Sequence, residues 1–224
     1  MVRADFLHLD ALARRADSPG PVAVLDPLAF NLLSTQQGAG IGASRLYATP
    51  TISMYGVAND PYTPNTVSVE SMTDIGYPYL TYLHPYWIGF PVTPGTKLTW
   101  WTPGLRESGA ALNGLRLHWY AADSSYISST FGATASTPLV ATVPANAALV
   151  KPNIEFSAVG VWSLGRAVLA AGDVSVDLLS GARPSGEGCP AYSVTNYTHA
   201  ATSGNGAFRD IGLDMVEVIS SATG

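Results

Sequence analysis

Residues 91–161 constrain the fold more than any other part of the chain. Short β-type segments follow one another here, with many aromatic residues and little charge, at 98–101, 115–120, 126–129 and 148–156. Period-two alternation of apolar and polar residues favours strands, and Gly and Pro mark the turns between them. No catalytic motif interrupts this order. The segment therefore favours a β-sandwich that presents surfaces over an enzyme.

The same patterning continues on both sides of this segment. Further strands are predicted at 66–71, 78–83, 167–169, 174–179 and 210–218, and a long loop rich in Gly, Pro, Ser and Thr is predicted over 180–206. The chain has 22 glycines and 16 prolines as turn formers. Short strands at this spacing predict an all-β fold, an antiparallel β-sandwich of jelly-roll type over residues 31–224.

Residues 1–30 are predicted to form an N-terminal extended or short-helical arm and its linker. A helix over 5–16 would place Leu9 and Leu12 near one stripe and Arg14 and Arg15 at its C-terminal end, where the helix dipole favours cations. One short helix cannot bury an apolar stripe by itself. A frayed terminus is one interpretation, and an arm that docks onto another subunit is the one we adopt.

The charge content limits the kinds of partner. Charged residues make up 12% of the chain, against about 25% in ordinary globular domains, and Lys97 and Lys151 are the only two lysines. The surface must therefore be uncharged and aromatic, or be covered by other subunits. The net charge is −5 with scattered arginines, which argues against nucleic acid as a partner.

The sequence also shows no feature of secretion or membrane insertion. No apolar run approaches the roughly 18 residues of a membrane span, and the N-terminus lacks the pattern of a secretory signal. We therefore expect synthesis in a cytoplasm. Cys189 is the single cysteine, which excludes an intrachain disulfide and a cysteine-based zinc site and favours an inert thiol.

Several turn and strand motifs resemble a known family. The "LDP…NLL" pattern of residues 24–34 resembles the lead-in to sandwich domains of minor tail proteins in phages of actinobacteria. "VTPG" at 92–95, "WYAADSSYIS" at 119–128 and "VPANA" at 143–147 resemble strand entries, a hairpin and a turn of carbohydrate-binding jelly rolls. The likeness covers about residues 22–180.

This resemblance implies a structural virion protein of a tailed phage, most directly a minor tail component. The N-terminal arm would dock it onto other virion proteins, in a homo-oligomer of three- or six-fold symmetry, and the sandwich would project outward. A capsid decoration protein, or a module that binds host cell-wall glycan, are the alternatives. Ser125 replaces a glycine common in the family hairpin, and no acidic residue clearly flanks the family's calcium position. No cofactor is therefore expected, with structural calcium as the alternative.

Aromatic and cationic residues provide the candidate binding surface. Trp119 shares a strand face with the leucines beside it, so we expect it in the core and Arg116, His118 and Tyr120 on the opposite face. Such side chains suit either a glycan or a protein interface. The full candidate set for this glycan or interface face is Trp101, Arg116, His118, Tyr120, Tyr82, Tyr86 and Trp87.

Catalysis and metal binding have little support in the sequence. The four histidines lack metal-ligand spacing, and there is no serine nucleophile elbow. Isolated carboxylates such as Asp123, Glu155, Asp173 and Asp177 are more typical of turns than of a glycosidase pair. We therefore expect no enzymatic activity, no catalytic residue and no metal site.

Overall fold

The computed structural model of the protein describes residues 3–14, 20–24, 30–40, 45–56, 67–132, 136–201 and 209–218. The strands are β1 Val22–Ala23, β2 Leu46–Ala48, β3 Ile52–Gly56, β4 Val67–Ser71, β5 Tyr79–Tyr82, β6 Phe90–Pro91, β7 Lys97–Trp101, β8 Leu112–Tyr120, β9 Tyr126–Gly132, β10 Leu139–Thr142, β11 Leu149–Phe156, β12 Gly160–Ser163, β13 Val168–Ala171, β14 Ala191–Ala201 and β15 Arg209–Val218. The helices are α1 Arg3–Ala13, α2 Thr35–Ala39, α3 Pro103–Glu107 and α4 Ser175–Leu179. The predicted all-β, antiparallel sandwich is confirmed.

The chain forms two compact units. One consists of residues 25–189, and the other of residues 1–24 together with residues 190–224. The sequence had suggested a boundary at residue 30 and a sandwich that continues to residue 224. The structure instead groups the C-terminal strands with the N-terminal segment, because β1 pairs with β14 in the register Val22 to Tyr192.

A six-stranded sheet is the main layer of the larger unit. Its order is β2-β5-β11-β8-β9, with β6 also paired to β11. Leu80, Ile154 and Leu115 are cross-strand neighbours on its inner face, and all three are fully buried. Pro152 lies where the ladder on one side of β11 changes from β6 to β5, a position that tolerates a residue without an amide hydrogen.

A three-stranded sheet of order β10-β7-β13 covers that inner face. Trp100 of β7 joins the two layers, since its indole Nε1 donates to the carbonyl oxygen of Asn153 at 3.1 Å. The Trp100 ring also meets Tyr82 edge to face, with centroids 5.2 Å apart. The core therefore lies between two facing sheets, as in other β-sandwiches.

A third sheet of order β12-β4-β3 closes one side of the larger unit. Val69 and Ile52 from this sheet are buried in the same core. Trp162 of β12 stacks on Phe156 with an interplanar angle of 11°. Burial of these side chains extends the hydrophobic core beyond the two main layers.

The smaller unit pairs α1 with a long hairpin. β14 and β15 form an antiparallel ladder with an irregularity between Val194 and Asn196. The Asp10 carboxylate of α1 accepts hydrogen bonds from the Tyr197 hydroxyl at 2.7 Å and from Arg14 Nε at 2.9 Å. These two bonds, with Tyr197 the larger cause, lower the pKa of Asp10. The predicted N-terminal helix thus contacts a strand of its own chain.

Two local predictions were wrong. The segment 174–179 was predicted as a strand, but α4 occupies Ser175–Leu179. The segment 180–206 was predicted as a long loop, but it contains the eleven-residue strand β14. Both segments have mixed polar and apolar residues, and β14 pairs with β15 and β1, which are distant from most of it in sequence.

Candidate functional site

The outer face of the six-stranded sheet carries a group of polar and aromatic side chains. Leu115, Leu117 and Trp119 of β8 are fully buried, so the residues that alternate with them point outward. In the neighbouring strand β11, Lys151 is directly opposite His118 and Asn153 is directly opposite Arg116. Cross-strand pairing therefore places residues that are more than thirty positions apart in the sequence next to each other.

These side chains line a cavity of about 680 Å³. The lining residues come from β2, β5, β8 and β11 and from the residue after β5: Tyr47, Tyr79, Thr81, Leu83, Arg116, His118, Tyr120, Lys151, Asn153 and Glu155. A cavity of this size falls within the range of small-molecule binding sites, roughly 300–1,000 Å³. The combination of aromatic walls and convergent polar groups is typical of such sites.

An ion pair orients one side of the cavity. Arg116 binds Glu155 in a bidentate arrangement, with Nε to Oε1 at 2.7 Å and Nη2 to Oε2 at 3.2 Å. Asn113 Nδ2 also donates to Glu155 Oε2 at 2.9 Å, and the guanidinium lies 4.7 Å from the centre of the Phe131 ring. Both charged groups are therefore held in fixed positions.

Lys151 is the second cation in the cavity lining, one outward-facing pair further along the ladder from Arg116. Its Nζ lies 4.6 Å from the centre of the Tyr120 ring. Burial lowers the pKa of this amine. Arg116 pairs with Glu155, whereas none of the ion pairs among the described residues includes Lys151. The Lys151 ammonium thus has an aromatic partner and no carboxylate among the residues that the structure describes.

Tyrosines form the apolar surfaces of the cavity. The rings of Tyr47 and Tyr79 lie 6.0 Å apart at an angle of 38°. Burial first, and then a hydrogen bond with Tyr47, raise the pKa of Tyr79. Tyr120 meets Tyr126 edge to face at 5.7 Å, and burial raises the pKa of Tyr120. The hydroxyls of Tyr79 and Tyr120 therefore remain protonated at neutral pH and can donate hydrogen bonds.

The floor of the cavity is polar. Asn153 Nδ2 donates to Thr81 Oγ1 at 2.9 Å, while Asn153 Oδ1 is buried without a partner among the described residues. His118 lies beside them, and burial first, then the charge of Arg116, lower its pKa. His118 is consequently neutral at pH 7 and offers one nitrogen as a donor and the other as an acceptor.

The structure brings together some of the predicted face and separates the rest. Arg116, His118 and Tyr120 all line the cavity. Tyr86 and Trp87 are half-buried next to His84. The ring centres of Tyr86 and Trp87 lie 5.4 Å apart, and those of Trp87 and His84 lie 4.7 Å apart. They lie outside the cavity lining.

Two members of the predicted face belong to the interior. Trp101 is only 1% exposed, because both faces of β7 are covered and the guanidiniums of Arg106 and Arg183 lie 5.8 and 5.4 Å from its ring centre. Tyr82 is fully buried against Trp100, and burial raises its pKa. The prediction that these two rings are available to a glycan or partner is corrected.

Of the predicted docking residues, Leu9 and Leu12 lie on α1, and Arg14 directly follows its last residue. Leu9 and Leu12 are partly buried, and Arg14 pairs with Asp10 while its guanidinium lies 5.6 Å from the Tyr197 ring centre. Arg15 lies outside the described residues. The docking of this arm onto another virion protein stays a prediction.

Sequence reasoning did not assign Tyr47, Lys151 and Asn153 to the site. Within β11, period-two alternation with the buried Pro152 and Ile154 was a readable signal that residues 151, 153 and 155 share one face. Tyr47 had no such signal, because its place depends on the pairing of β2 with β5.

The described residues have neither a metal-binding cluster nor a helix that could span a membrane. No group of three or more His, Cys, Asp or Glu side chains is arranged there to hold a metal ion. None of the helices in the described ranges has the length and apolar character needed to cross a bilayer.

Comparison with known proteins gives weak structural likenesses. No protein-family model matches the sequence, and no curated protein does. The enzymatically active domain of tailspike protein 4 of bacteriophage CBA120 is 15% identical with a TM-score of 0.44, and the match covers 63% of this chain and 21% of the tailspike chain.

Two other solved structures are similar at the same level. A carbohydrate-binding module of the β-sandwich superfamily is 14% identical with a TM-score of 0.37, over 63% of this chain and 60% of that chain. An arabinose-bound α-L-arabinofuranosidase is 12% identical with a TM-score of 0.36, and the match covers 64% of this chain and 27% of the arabinofuranosidase chain. The chain thus spans less than two thirds of each of these proteins. These values are too low to relate it to any of the three by function.

Proposed function

We propose that the larger unit is a glycan-binding β-sandwich and that its binding site is the cavity on the outer face of the six-stranded sheet. The observation that carries this proposal is the convergence of Tyr47, Tyr79 and Tyr120 with charged and amide side chains around about 680 Å³. Saccharides have both apolar ring faces and many hydroxyls. The cavity offers a matching surface for each.

The chemistry of the lining supports a sugar over a purely apolar ligand. Tyrosine rings provide flat surfaces against which pyranose rings can pack. Arg116 and Glu155 hold each other in place, so a hydroxyl that contacts either group meets a preoriented partner. The unpartnered Asn153 Oδ1 is an acceptor for a donor that reaches the cavity floor.

We propose that the site binds without cleaving. A glycosidase needs two carboxyl groups across the scissile bond, and Glu155 is the single carboxylate among the described lining residues. Its two oxygens are engaged by Arg116 and Asn113. The proposal therefore includes no catalytic residue, no cofactor and no structural calcium.

The biological setting that we propose is the particle of a tailed phage. The resemblance of residues 24–34 to minor tail proteins and the scarcity of lysine support a minor tail component, in a homo-oligomer with other virion proteins. The sandwich would then contribute to adhesion to host cell-wall glycan. A capsid decoration protein that uses the same face is the alternative within this class.

The test compares glycan binding with particle incorporation. Tyr120→Ala removes a ring from the cavity, whereas Tyr120→Phe keeps the ring, and Tyr77→Ala removes an exposed tyrosine outside the lining. We expect Tyr120→Ala to weaken retention on host cell-wall glycan by tenfold or more, roughly the effect of losing a binding anchor. Tyr120→Phe and Tyr77→Ala should bind like the wild type.

The readouts separate the two candidate roles of the face. Weaker glycan binding with normal incorporation into particles supports adhesion. Normal glycan binding with lost incorporation would show instead that the face is a subunit interface. Wild-type behaviour of Tyr120→Ala in both assays, with a native circular dichroism spectrum, would rule out either role for this face.

A further inference from the structure

The charge of the cavity identifies the class of glycan that fits it. We infer that the bound saccharide is anionic and that its carboxylate or phosphate pairs with the ammonium of Lys151. This inference rests on the proposed glycan-binding function of the same site. It adds a ligand class that follows from the arrangement of charges within the cavity.

The cations in the lining outnumber the anions. Arg116 and Lys151 are the cationic residues, and Glu155 is the only carboxylate among the described lining residues. The bidentate pair of Arg116 with Glu155 neutralises one of each. One positive charge, that of Lys151, is left over within a chain whose net charge is −5.

The position of Lys151 directs this charge toward a ligand. The residue alternates with the buried Val150 and Pro152, so its side chain projects from the outer face of β11. The Tyr120 ring holds the ammonium at 4.6 Å. The Tyr120 ring attracts the ammonium through a cation–π interaction. The ring does not accept conventional hydrogen bonds from the N–H groups of Lys151. Those donors are available to an anionic oxygen.

Neighbouring groups favour the same ligand. His118 is directly opposite Lys151 across the β8–β11 ladder and can donate a hydrogen bond from its neutral ring. The partial burial of Lys151 reduces screening by water, which strengthens its attraction to an anion relative to an exposed lysine. A neutral saccharide would leave the ammonium without an ionic partner in this partly enclosed space.

The test uses matched glycan probes in binding titrations of the full chain. The probes are oligogalacturonate, its carboxyl-reduced neutral counterpart, and a glycerol-phosphate polymer with sugar substituents. The variants are Lys151→Met, which keeps the apolar stem, and Lys151→Arg, which keeps the charge. Lys97→Met removes the other lysine of the chain, which is exposed and paired with Asp173, and serves as the control.

We expect the wild type to prefer at least one anionic probe over the neutral probe by about ten- to hundredfold, the range for hydrogen bonds to charged groups. Lys151→Met should abolish the preference, and Lys151→Arg and Lys97→Met should keep it. Preference for oligogalacturonate would identify a carboxylate ligand, and preference for the phosphate polymer would identify a phosphate ligand.

The contrary results differ for the two proposals. Equal binding of neutral and anionic probes, or an anionic preference that survives in Lys151→Met, would overturn the inference and leave glycan binding intact. Absence of binding to all three probes and to host cell-wall glycan, by a protein with a native circular dichroism spectrum, would overturn the proposed function and the inference together.

Discussion

The Lys151 ammonium lies 4.6 Å from the centre of the Tyr120 ring. The two residues are diagonal neighbours across the β8–β11 ladder, because Tyr120 is opposite Leu149 and Lys151 is opposite His118. Diagonal pairs remain within reach of aromatic and long side chains. The contact therefore positions a cation and a stacking surface together on one side of the cavity.

This contact predicts coupling between the two residues. Tyr120→Leu and Lys151→Met should each remove the cation–π interaction, so the double variant should lose less stability than the sum of the single variants. The expected coupling energy is about 0.5–1 kcal/mol. A double-mutant cycle by urea denaturation measures it. Additive effects within about 0.3 kcal/mol would show that the contact contributes nothing to stability.

Loss of the Arg116–Glu155 ion pair should destabilise the sandwich. The two side chains are only 28% and 14% exposed, so Glu155→Gln leaves a partly buried guanidinium without its counter-charge. We expect the free energy of unfolding to fall by about 1–3 kcal/mol, between the values for exposed and buried pairs. Lys97→Gln breaks a more exposed pair and should cause no measurable change in the same urea titration. Equal effects of the two substitutions would contradict this ranking.

His84 should make the larger unit sensitive to mild acid. Its Nδ1 accepts from the amides of Tyr86 and Trp87 at 2.9 and 3.1 Å, and its Nε2 contacts the carbonyl oxygen of Cys189 at 2.6 Å. Burial first, and also the charge of Arg45, lower the pKa of His84 below its ordinary value of 6.5. Protonation at Nδ1 would displace both amide donors.

The unfolded state therefore takes up a proton at a higher pH than the folded state. The stability contributed by neutral His84 is complete above pH 6.5 and decreases as the pH falls toward the lower pKa of the folded state. Burial also lowers the pKa of His118, so its contribution to stability likewise decreases as the pH falls. Urea midpoints measured between pH 7.5 and 5 should decline, and His84→Asn, which keeps an acceptor at this position, should flatten the decline. An unchanged slope would exclude His84 as its cause.

Cys189 should be unreactive in the folded protein. Its side chain is 4% exposed, and burial raises the pKa of the thiol to about 12. Since the thiolate is the reactive species, we expect no reaction with a disulfide reagent at pH 8 and one equivalent of reaction in guanidinium chloride. No other cysteine contributes to this measurement, because the chain contains only one. Rapid labelling of the native protein would contradict the prediction.

Local patterning was enough to locate much of the sheet. Strands β7, β8, β11 and β15 agree with the predicted segments within a few residues. Trp119 is fully buried, as expected from the apolar residues that share its face. The alternation within β8 also placed Arg116, His118 and Tyr120 on one outward face. A strand side chain changes face at every residue, so one strand suffices for this inference.

Errors arose where the outcome depended on a second element. β14 was missed because its polar residues and irregular register with β15 hide the alternation. Trp101 was predicted to be accessible because the sequence does not indicate that Arg183, from a distant segment, covers its ring. In both cases a non-local contact decided the structure.

The sequence by itself determined the all-β class, four strands of the main sheet (β5, β8, β9 and β11) and the faces on which residues 115–120 of β8 lie, because these follow from residue type and a period of two. Only the tertiary structure decided that β11 and β5 lie beside β8 and that β2 extends the sheet. That pairing brings Lys151, Glu155 and Tyr47 to the residues of β8 and forms the cavity. Strand order depends on packing between segments that are distant in sequence, and local patterns do not contain that information.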